Sequence, residues 1–184
     1  KGLDELIEGG LPKGYSYLLL GGPGTGKTTF GSQYLYKGAT EFGESGMYVT
    51  FDEPPYSITT NMQRYGWNLA EEEKQGRFGF VDVSPIKRET KAGTFVPAAL
   101  QQSFLGAAKF NLDDVVSVIT EVKRKINAKR CVIDSISALT LQYKDEFEIR
   151  LQVLRLIKAM TEMDLTTIML AELTEDRQDM TTFG

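Results

Sequence analysis

Eight residues near the N-terminus have the types and spacing of a phosphate-binding loop. Residues 21–28, with the sequence GGPGTGKT, fit the pattern G-x-x-x-x-G-K-[ST]. An apolar run precedes them and a helical pattern begins near Gly26, so the loop is expected between a buried strand and a helix. There, glycines let backbone N–H groups approach a phosphate closely, and the helix N-terminus adds positive potential. The pattern favours a nucleoside triphosphate site over a glycine-rich turn with an exposed lysine.

The positions within this loop have distinct expected roles. Lys27 is expected to bridge the β- and γ-phosphates as a point charge, and Thr28 to ligate Mg²⁺ through its hydroxyl. The predicted nucleotide-binding residues are Gly22, Pro23, Gly24, Thr25, Gly26, Lys27, Thr28 and Thr29. A dinucleotide fingerprint, G-x-G-x-x-G starting at Gly22, fails because position 27 is lysine. A nicotinamide or flavin site is therefore disfavoured.

A carboxylate that could face the loop ends an apolar run. Residues 131–134, with the sequence CVID, predict a strand that ends in Asp134. At the carboxyl edge of a parallel sheet, Asp134 would hold a Mg²⁺-bound water or the Thr28 hydroxyl, as a Walker B acid does. Alone, the pattern also fits a helix cap, since Ser135 and Ser137 follow. Together with the loop, it predicts Thr28 and Asp134 as the metal-binding residues.

Two further acids follow another predicted strand. Asp52 and Glu53 come directly after the run MYVTF and before two prolines. One interpretation is a catalytic carboxylate that orients and polarises the attacking water. The other is a helix N-terminus, where acids before proline are common. The pattern alone does not decide between them. If the site is catalytic, Glu53 is the better candidate for the base, and Asp52 could support it or hold metal through water.

The elements that must position these groups alternate along the chain. Hydrophobic periodicity predicts an α/β fold, with a mostly parallel central sheet and helices on both faces. Asn111 is expected to cap the third helix. Residues 84–110 form a long connection, and residues 174–184 a polar tail. The predicted strands are 15–20, 46–52, 78–83, 130–134 and 166–170, and the predicted helices are 26–42, 55–65, 111–127 and 145–163.

Composition narrows the chemistry. The 184 residues suit one domain, and 21 basic against 25 acidic residues give a net charge of -4, which disfavours bulk polyanion binding. The absence of histidine excludes histidine triads and histidine-ligated metals. The single cysteine, Cys131, fits a reducing cytosol. With no membrane-spanning run and no secretory leader visible, a cytoplasmic protein without membrane association is expected.

The combination of segments resembles the RecA superfamily and, within it, KaiC-type ATPase domains. The similar segments are residues 2–14 before the first strand, the loop itself, TFDEPP at 50–55, YGWNL at 65–69 and VIDS at 132–135. The resemblance extends over nearly the whole chain. It implies a RecA-like P-loop fold that binds ATP or ADP with Mg²⁺ and hydrolyses ATP. It also implies self-association, commonly as a ring of six subunits with nucleotide between neighbours.

The resemblance assigns roles to individual residues. It implies Lys27, Thr28 and Asp134 in the roles given above and makes Glu53 the preferred catalytic carboxylate. Asp52 stands where the family usually has a second glutamate. The predicted catalytic residues are thus Glu53, Lys27 and Asp52. Glu172 matches an acid at a strand end where a γ-phosphate sensor lies, although the neighbouring Ala171 offers no side-chain hydrogen bond.

The resemblance also concerns domain extent and function. Residues 1–184 are expected to form a single ATPase domain that lacks C-terminal strands, because family domains continue with strands whose basic residues reach a neighbour's γ-phosphate. An ATPase acting as an oligomeric switch or regulator is favoured, with protein kinase activity left open. One alternative is a RecA- or RadA-like DNA recombination or repair ATPase, which the net charge disfavours. Another is a nucleotide-dependent scaffold with incidental hydrolysis.

Overall fold

Five parallel strands form one sheet in the computed structural model, which describes residues 3–83, 111–139, 143 and 145–173. The strand order is β1-β5-β4-β2-β3, and every neighbouring pair is parallel. The strands are β1 (Ser16–Gly21), β2 (Gly46–Thr50), β3 (Phe78–Asp82), β4 (Arg130–Asp134) and β5 (Thr166–Glu172). The helices in the described part are α1 (Leu3–Leu6), α2 (Lys27–Glu41), α3 (Pro55–Gln63), α4 (Leu69–Lys74), α5 (Leu112–Ile126) and α6 (Glu146–Glu162).

The predicted alternation of strands and helices is confirmed, with differences at particular ends. β2 stops at Thr50 rather than Asp52, because the Thr50 hydroxyl donates to the Glu53 carbonyl oxygen at 2.5 Å and turns the chain. β5 continues past its predicted end to Glu172, which pairs with Gly21 of β1. The short helices α1 and α4 were not predicted. The predicted connection 84–110 and tail 174–184 lie outside the described residues.

Two apolar layers cover the two faces of the sheet. Side chains alternate along each strand, so Tyr48 of β2 and Val132 of β4 face α2, α3 and α4. Their neighbours Val49 and Ile133 face α5 and α6. The strands β2 to β5 are mostly buried on both sides, which explains their nearly continuous apolar sequences, whereas the edge strand β1 is partly exposed. Helices on both faces therefore fix the position of every strand end.

The long helices α5 and α6 begin at capping side chains. The Asn111 side chain accepts a hydrogen bond from the Asp113 N–H at 3.0 Å, which confirms the predicted cap of α5. Asp145 caps α6 in the same way, accepting from the N–H groups of Phe147 and Glu148. Throughout the described ranges, no helix has the length and apolarity needed to cross a bilayer.

A close approach at Gly31 sets the height of α2 above the sheet. Gly31 is buried in the middle of this helix, and a Cβ atom there would lie 2.9 Å from Cγ1 of Val132. Val132 itself is fully buried in β4, where close packing resists displacement of the side chain. The glycine therefore lets α2 lie directly on the strand that ends in Asp134.

Gly31→Ala is expected to destabilise the fold despite its helical position. Alanine would gain up to about 1 kcal/mol in helix propensity, but overpacking against Val132 costs about 1–3 kcal/mol. We expect a net loss of roughly 1–2 kcal/mol in the free energy of unfolding, measured by urea denaturation. Gln33→Ala, on an exposed position of the same helix, is the control and should change stability by less than about 0.5 kcal/mol. A more stable Gly31→Ala protein would contradict the close packing.

Candidate nucleotide-binding site

The candidate functional residues meet at the carboxyl edge of the sheet. The loop of residues 22–26 follows β1, Asp134 ends β4, and Asp52 and Glu53 follow β2. Glu172 ends β5 between the loop strand and the Asp134 strand. In open parallel sheets, the crevice outside the carboxyl ends of the strands is where ligands bind. The topology thus gathers residues that are up to 151 positions apart in sequence, from Gly21 to Glu172.

The loop has the compact geometry that a phosphate cradle requires. Gly26, the residue before α2, has a φ of 88° in the left-handed region, which a residue with a side chain adopts only with strain. At Gly21, a Cβ atom would lie 2.7 Å from the Thr25 hydroxyl oxygen. That hydroxyl donates to the Gly22 carbonyl oxygen at 2.9 Å and closes the loop on itself. Gly21 and Gly26 are therefore needed for the shape of the loop.

Lys27 reaches back across the loop that precedes it. Its ammonium group donates to the carbonyl oxygens of Gly21 and Gly22, both at 2.8 Å. Lys27 is the first residue of α2, so its charge lies at the positive end of the helix dipole. Both the ammonium group and the helix N-terminus favour an anion at this position.

Thr28 and Asp134 are in direct contact. The Thr28 hydroxyl donates to Oδ2 of Asp134 at 2.8 Å, which joins the start of α2 to the end of β4. Hydroxyl and carboxylate oxygens are the hard donors that Mg²⁺ prefers. In the part of the chain that is described, no group of three or more His, Cys, Asp or Glu side chains could hold a metal. The Thr28 hydroxyl and the Asp134 carboxylate thus match the oxygen donors that Mg²⁺ prefers.

A buried tyrosine also contacts Asp134. The Tyr48 hydroxyl lies 2.5 Å from the same Oδ2 atom, and Tyr48 is fully buried. Burial, followed by the nearby charge of Asp134, raises the pKa of the Tyr48 phenol well above its ordinary value. The phenol therefore stays protonated and acts as a donor. The sequence patterns did not single out this residue; its signal was a polar atom at a core position of the strand beside β4.

Glu53 lies close enough to Asp134 for their charges to interact. Glu53 is half-buried, and desolvation, followed by the charge of Asp134, raises the pKa of its carboxyl group. The Asn61 side chain of α3 donates to Glu53 Oε1 at 3.3 Å and partly offsets this effect. Sequence reasoning also missed Asn61, because its contact depends on how α3 folds back over the strand end.

Asp52 contacts the segment that follows Asp134. It accepts a hydrogen bond from the Ser135 hydroxyl at 3.3 Å. Partial desolvation of the carboxyl group raises its pKa, and the charges of Asp134 and Glu172 add to this effect. The Glu172 backbone N–H is in turn bonded to the Ser137 hydroxyl at 3.0 Å. The structure thus brings Asp52 and Glu53 to the sheet edge where Asp134 lies. The loop residues Pro23 and Gly24 and the α2 residue Thr29 lie at the same edge.

A separate cavity of about 510 Å³ lies at the opposite edge of the sheet. It is lined near the starts of β4 and β5 by residues that include Arg130, Tyr34 and Thr166. The Arg130 guanidinium is already bonded to Glu44 at 2.7 Å and stacks over the Tyr34 ring. The residues with nucleotide-binding spacing are not part of its lining, so this cavity does not belong to the candidate site.

Comparison with known proteins gives a consistent family. The family model described as "ATPase: KaiC" matches residues 1–184. The chain is 36% identical over its full length to the circadian clock oscillator protein KaiC of Parasynechococcus marenigrum (strain WH8102), covering 33% of that protein. It is 33% identical to the circadian clock protein KaiC3 of Synechocystis sp. (strain ATCC 27184 / PCC 6803 / Kazusa), again over its full length and 34% of the relative. The chain thus spans about a third of the length of these curated relatives.

A solved structure extends the comparison to the fold. The KaiC-like protein of the hyperthermophilic archaeon Pyrococcus horikoshii OT3 superposes with a TM-score of 0.74 at 40% sequence identity. The match covers 94% of this chain and 67% of that one. The prediction of a RecA-like P-loop fold is confirmed.

Asp134→Asn is expected to lower the pKa values of Asp52 and Glu53. The negative charge of Asp134 raises both values, so its removal should move both titration midpoints to lower pH. Carboxyl ¹³C resonances followed through a pH titration measure this directly. Asp82→Asn, at the end of β3 on the same sheet edge, is the matched control and should shift both midpoints less. Midpoints that stay fixed in Asp134→Asn would contradict the proposed coupling of these charges.

Proposed function

Because this chain belongs to the KaiC ATPase family, we propose that it hydrolyses ATP to ADP and phosphate at the carboxyl edge of its sheet. The observation that carries the proposal is the hydrogen bond between Thr28 and Asp134. It joins the hydroxyl that follows the loop lysine to the acid of a separate strand, and P-loop NTPases hold Mg²⁺ with a hydroxyl and an acid of these kinds, which supports the proposal.

The loop supplies binding and charge neutralisation. Residues 22–29 would hold the phosphates through backbone N–H groups and the helix N-terminus. Lys27 would exchange its contacts with the Gly21 and Gly22 carbonyls for oxygens of the β- and γ-phosphates. There its fixed positive charge would stabilise the negative charge that develops on the transferred phosphoryl group.

Thr28 and Asp134 are the residues that would hold Mg²⁺. The ion, when bound, neutralises phosphate charge and fixes the geometry of the triphosphate. Thr28 would contribute its hydroxyl oxygen while its proton stays directed toward Asp134 Oδ2. Asp134 would act through its carboxylate, directly or through a bound water.

Glu53 is proposed as the residue that orients and polarises the attacking water. Without histidine in the chain, a carboxylate is the natural general base. Its raised pKa makes it a stronger base than an exposed glutamate, and Asn61 fixes one of its oxygens. Asp52, the residue before Glu53, would add negative charge next to it and so support its role as the base. Activity should therefore decline toward low pH as Glu53 becomes protonated.

The protein is further proposed to act as an oligomeric switch or regulator. Family resemblance supports self-association into a ring of six with nucleotide at subunit interfaces. Two of the relatives are named as circadian clock proteins, which supports a regulatory use of ATP turnover.

Cys131 is a buried free thiol, which fits the reducing cytoplasm as the compartment of the protein.

Glu53→Gln is expected to abolish most hydrolysis while leaving nucleotide binding in place. Glutamine keeps the size and the contact with Asn61 but cannot accept the proton of water, so turnover should fall by about 10²–10⁴-fold. Phosphate release measured on the full-length protein gives the rate, and calorimetry with a non-hydrolysable ATP analogue gives the affinity.

Glu121→Gln provides the matched control for this variant. It makes the same chemical change at an exposed position of α5, away from the carboxyl edge, and should leave the rate unchanged. If Glu53→Gln hydrolyses ATP as fast as the wild type, Glu53 is not the base. If the wild-type protein binds the analogue without measurable turnover, it is a nucleotide-dependent scaffold instead of an ATPase.

A further inference from the structure

Tyr48 occupies a position where an apolar residue would be expected. It lies in the middle of β2, is fully buried, and packs beside Phe80 with ring centroids 6.0 Å apart. A phenylalanine would fill nearly the same space without burying a hydroxyl. Burying a hydroxyl is unfavourable unless it finds a hydrogen-bond partner. Here the partner is the Asp134 carboxylate, so the extra oxygen atom reaches directly into the candidate site.

One oxygen of the Asp134 carboxylate accepts two hydrogen bonds. Oδ2 accepts from the Thr28 hydroxyl at 2.8 Å and from the Tyr48 hydroxyl at 2.5 Å. The two donors come from different elements, the start of α2 and the middle of β2. Two donors that converge on one carboxylate oxygen from separate directions restrict the rotation of the carboxyl group. The second oxygen, Oδ1, accepts neither of these two hydrogen bonds.

The two donors differ in how firmly they are held. Thr28 lies at the first turn of α2, directly after the loop, and is proposed to present its oxygen to a metal ion. Tyr48 is held by its ring, which is enclosed in the core among apolar side chains. The core packing of the ring therefore fixes its hydroxyl relative to the sheet. This makes Tyr48 the donor that can keep Asp134 in place while the loop takes up a nucleotide.

We propose that Tyr48 is a positioning residue that holds Asp134 in the orientation needed to bind the Mg²⁺ of a nucleotide complex. The inference rests on the proposed metal role of Asp134 and deepens it. Tyr48 acts through Asp134 and does not touch the phosphates. It therefore contributes to the part of nucleotide affinity that depends on Mg²⁺ and leaves the metal-free affinity unchanged. Residues that orient a metal ligand in this way typically change metal affinity about 10- to 100-fold when removed.

The test is Tyr48→Phe, which removes only the hydroxyl. Affinity for a non-hydrolysable ATP analogue is measured by calorimetry on the full-length protein, with Mg²⁺ and with chelator. The ratio of the two affinities is the Mg²⁺ enhancement. Tyr48→Phe is expected to reduce this enhancement by about tenfold or more and to keep the affinity in chelator close to that of the wild type.

Tyr34→Phe is the matched control. The Tyr34 hydroxyl donates to the Thr166 backbone carbonyl oxygen at 3.2 Å, at the opposite edge of the sheet. The same chemical change there should leave both affinities as in the wild type. Urea unfolding of the three proteins separates a loss of stability from a loss of metal coupling.

The outcomes separate the inference from the function on which it rests. An unchanged Mg²⁺ enhancement in Tyr48→Phe would overturn the positioning role, as would an equal loss of affinity with and without the metal. A wild-type protein whose affinity does not depend on Mg²⁺ would overturn the proposed function itself. A second measurement needs no variant: the ¹³Cζ resonance of Tyr48 in labelled wild-type protein should shift when Mg²⁺ is added to the nucleotide complex. An unmoved resonance would count against the inference.

Discussion

The hydrogen bond from Thr28 to Asp134 is the contact that makes one site out of two distant parts of the sheet. The loop follows β1, and β5 lies between that strand and the one that ends in Asp134. The first turn of α2 reaches the carboxylate because the helix packs on both β5 and β4, with Gly31 next to Leu170 and Val132. The packing is close, since Gly31 removes the side chain that would otherwise lift the helix off Val132. The close packing of α2 on the sheet thus also determines where Thr28 lies relative to Asp134.

Electrostatics make this edge of the sheet costly to assemble. Asp134, Asp52, Glu53 and Glu172 lie near one another, and their mutual repulsion contributes to the raised pKa values of Asp52 and Glu53. Hydrogen bonds from Ser135 and Asn61 offset part of this repulsion. A bound cation would offset more of it. Excess negative charge here disfavours the unliganded site, and the proposed Mg²⁺ would relieve this repulsion at the cost of some stability of the empty protein.

Much of this arrangement could be predicted from the sequence, and the remainder shows what a pattern lacks. The loop is contiguous in sequence, so the spacing of its glycines and lysine is enough to predict a phosphate-binding loop. Asp134 could be placed because an apolar run that ends in an acid predicts a strand end. Tyr48 could not, because its contact joins two strands whose register a single sequence does not reveal. Asn61 contacts Glu53 because the chain turns directly after β2. The Thr50 hydroxyl stabilises that turn, so the strand ends two residues earlier than the sequence predicts.

The proposed binding of a triphosphate by the loop and Lys27 is best tested by a crystal structure with Mg²⁺ and a non-hydrolysable ATP analogue. We expect phosphates enclosed by the amides of residues 22–28, with the Lys27 ammonium moved from the Gly21 and Gly22 carbonyls onto phosphate oxygens. A nucleotide bound elsewhere on the molecule, or a Lys27 that keeps both carbonyl contacts beside a bound triphosphate, would contradict it.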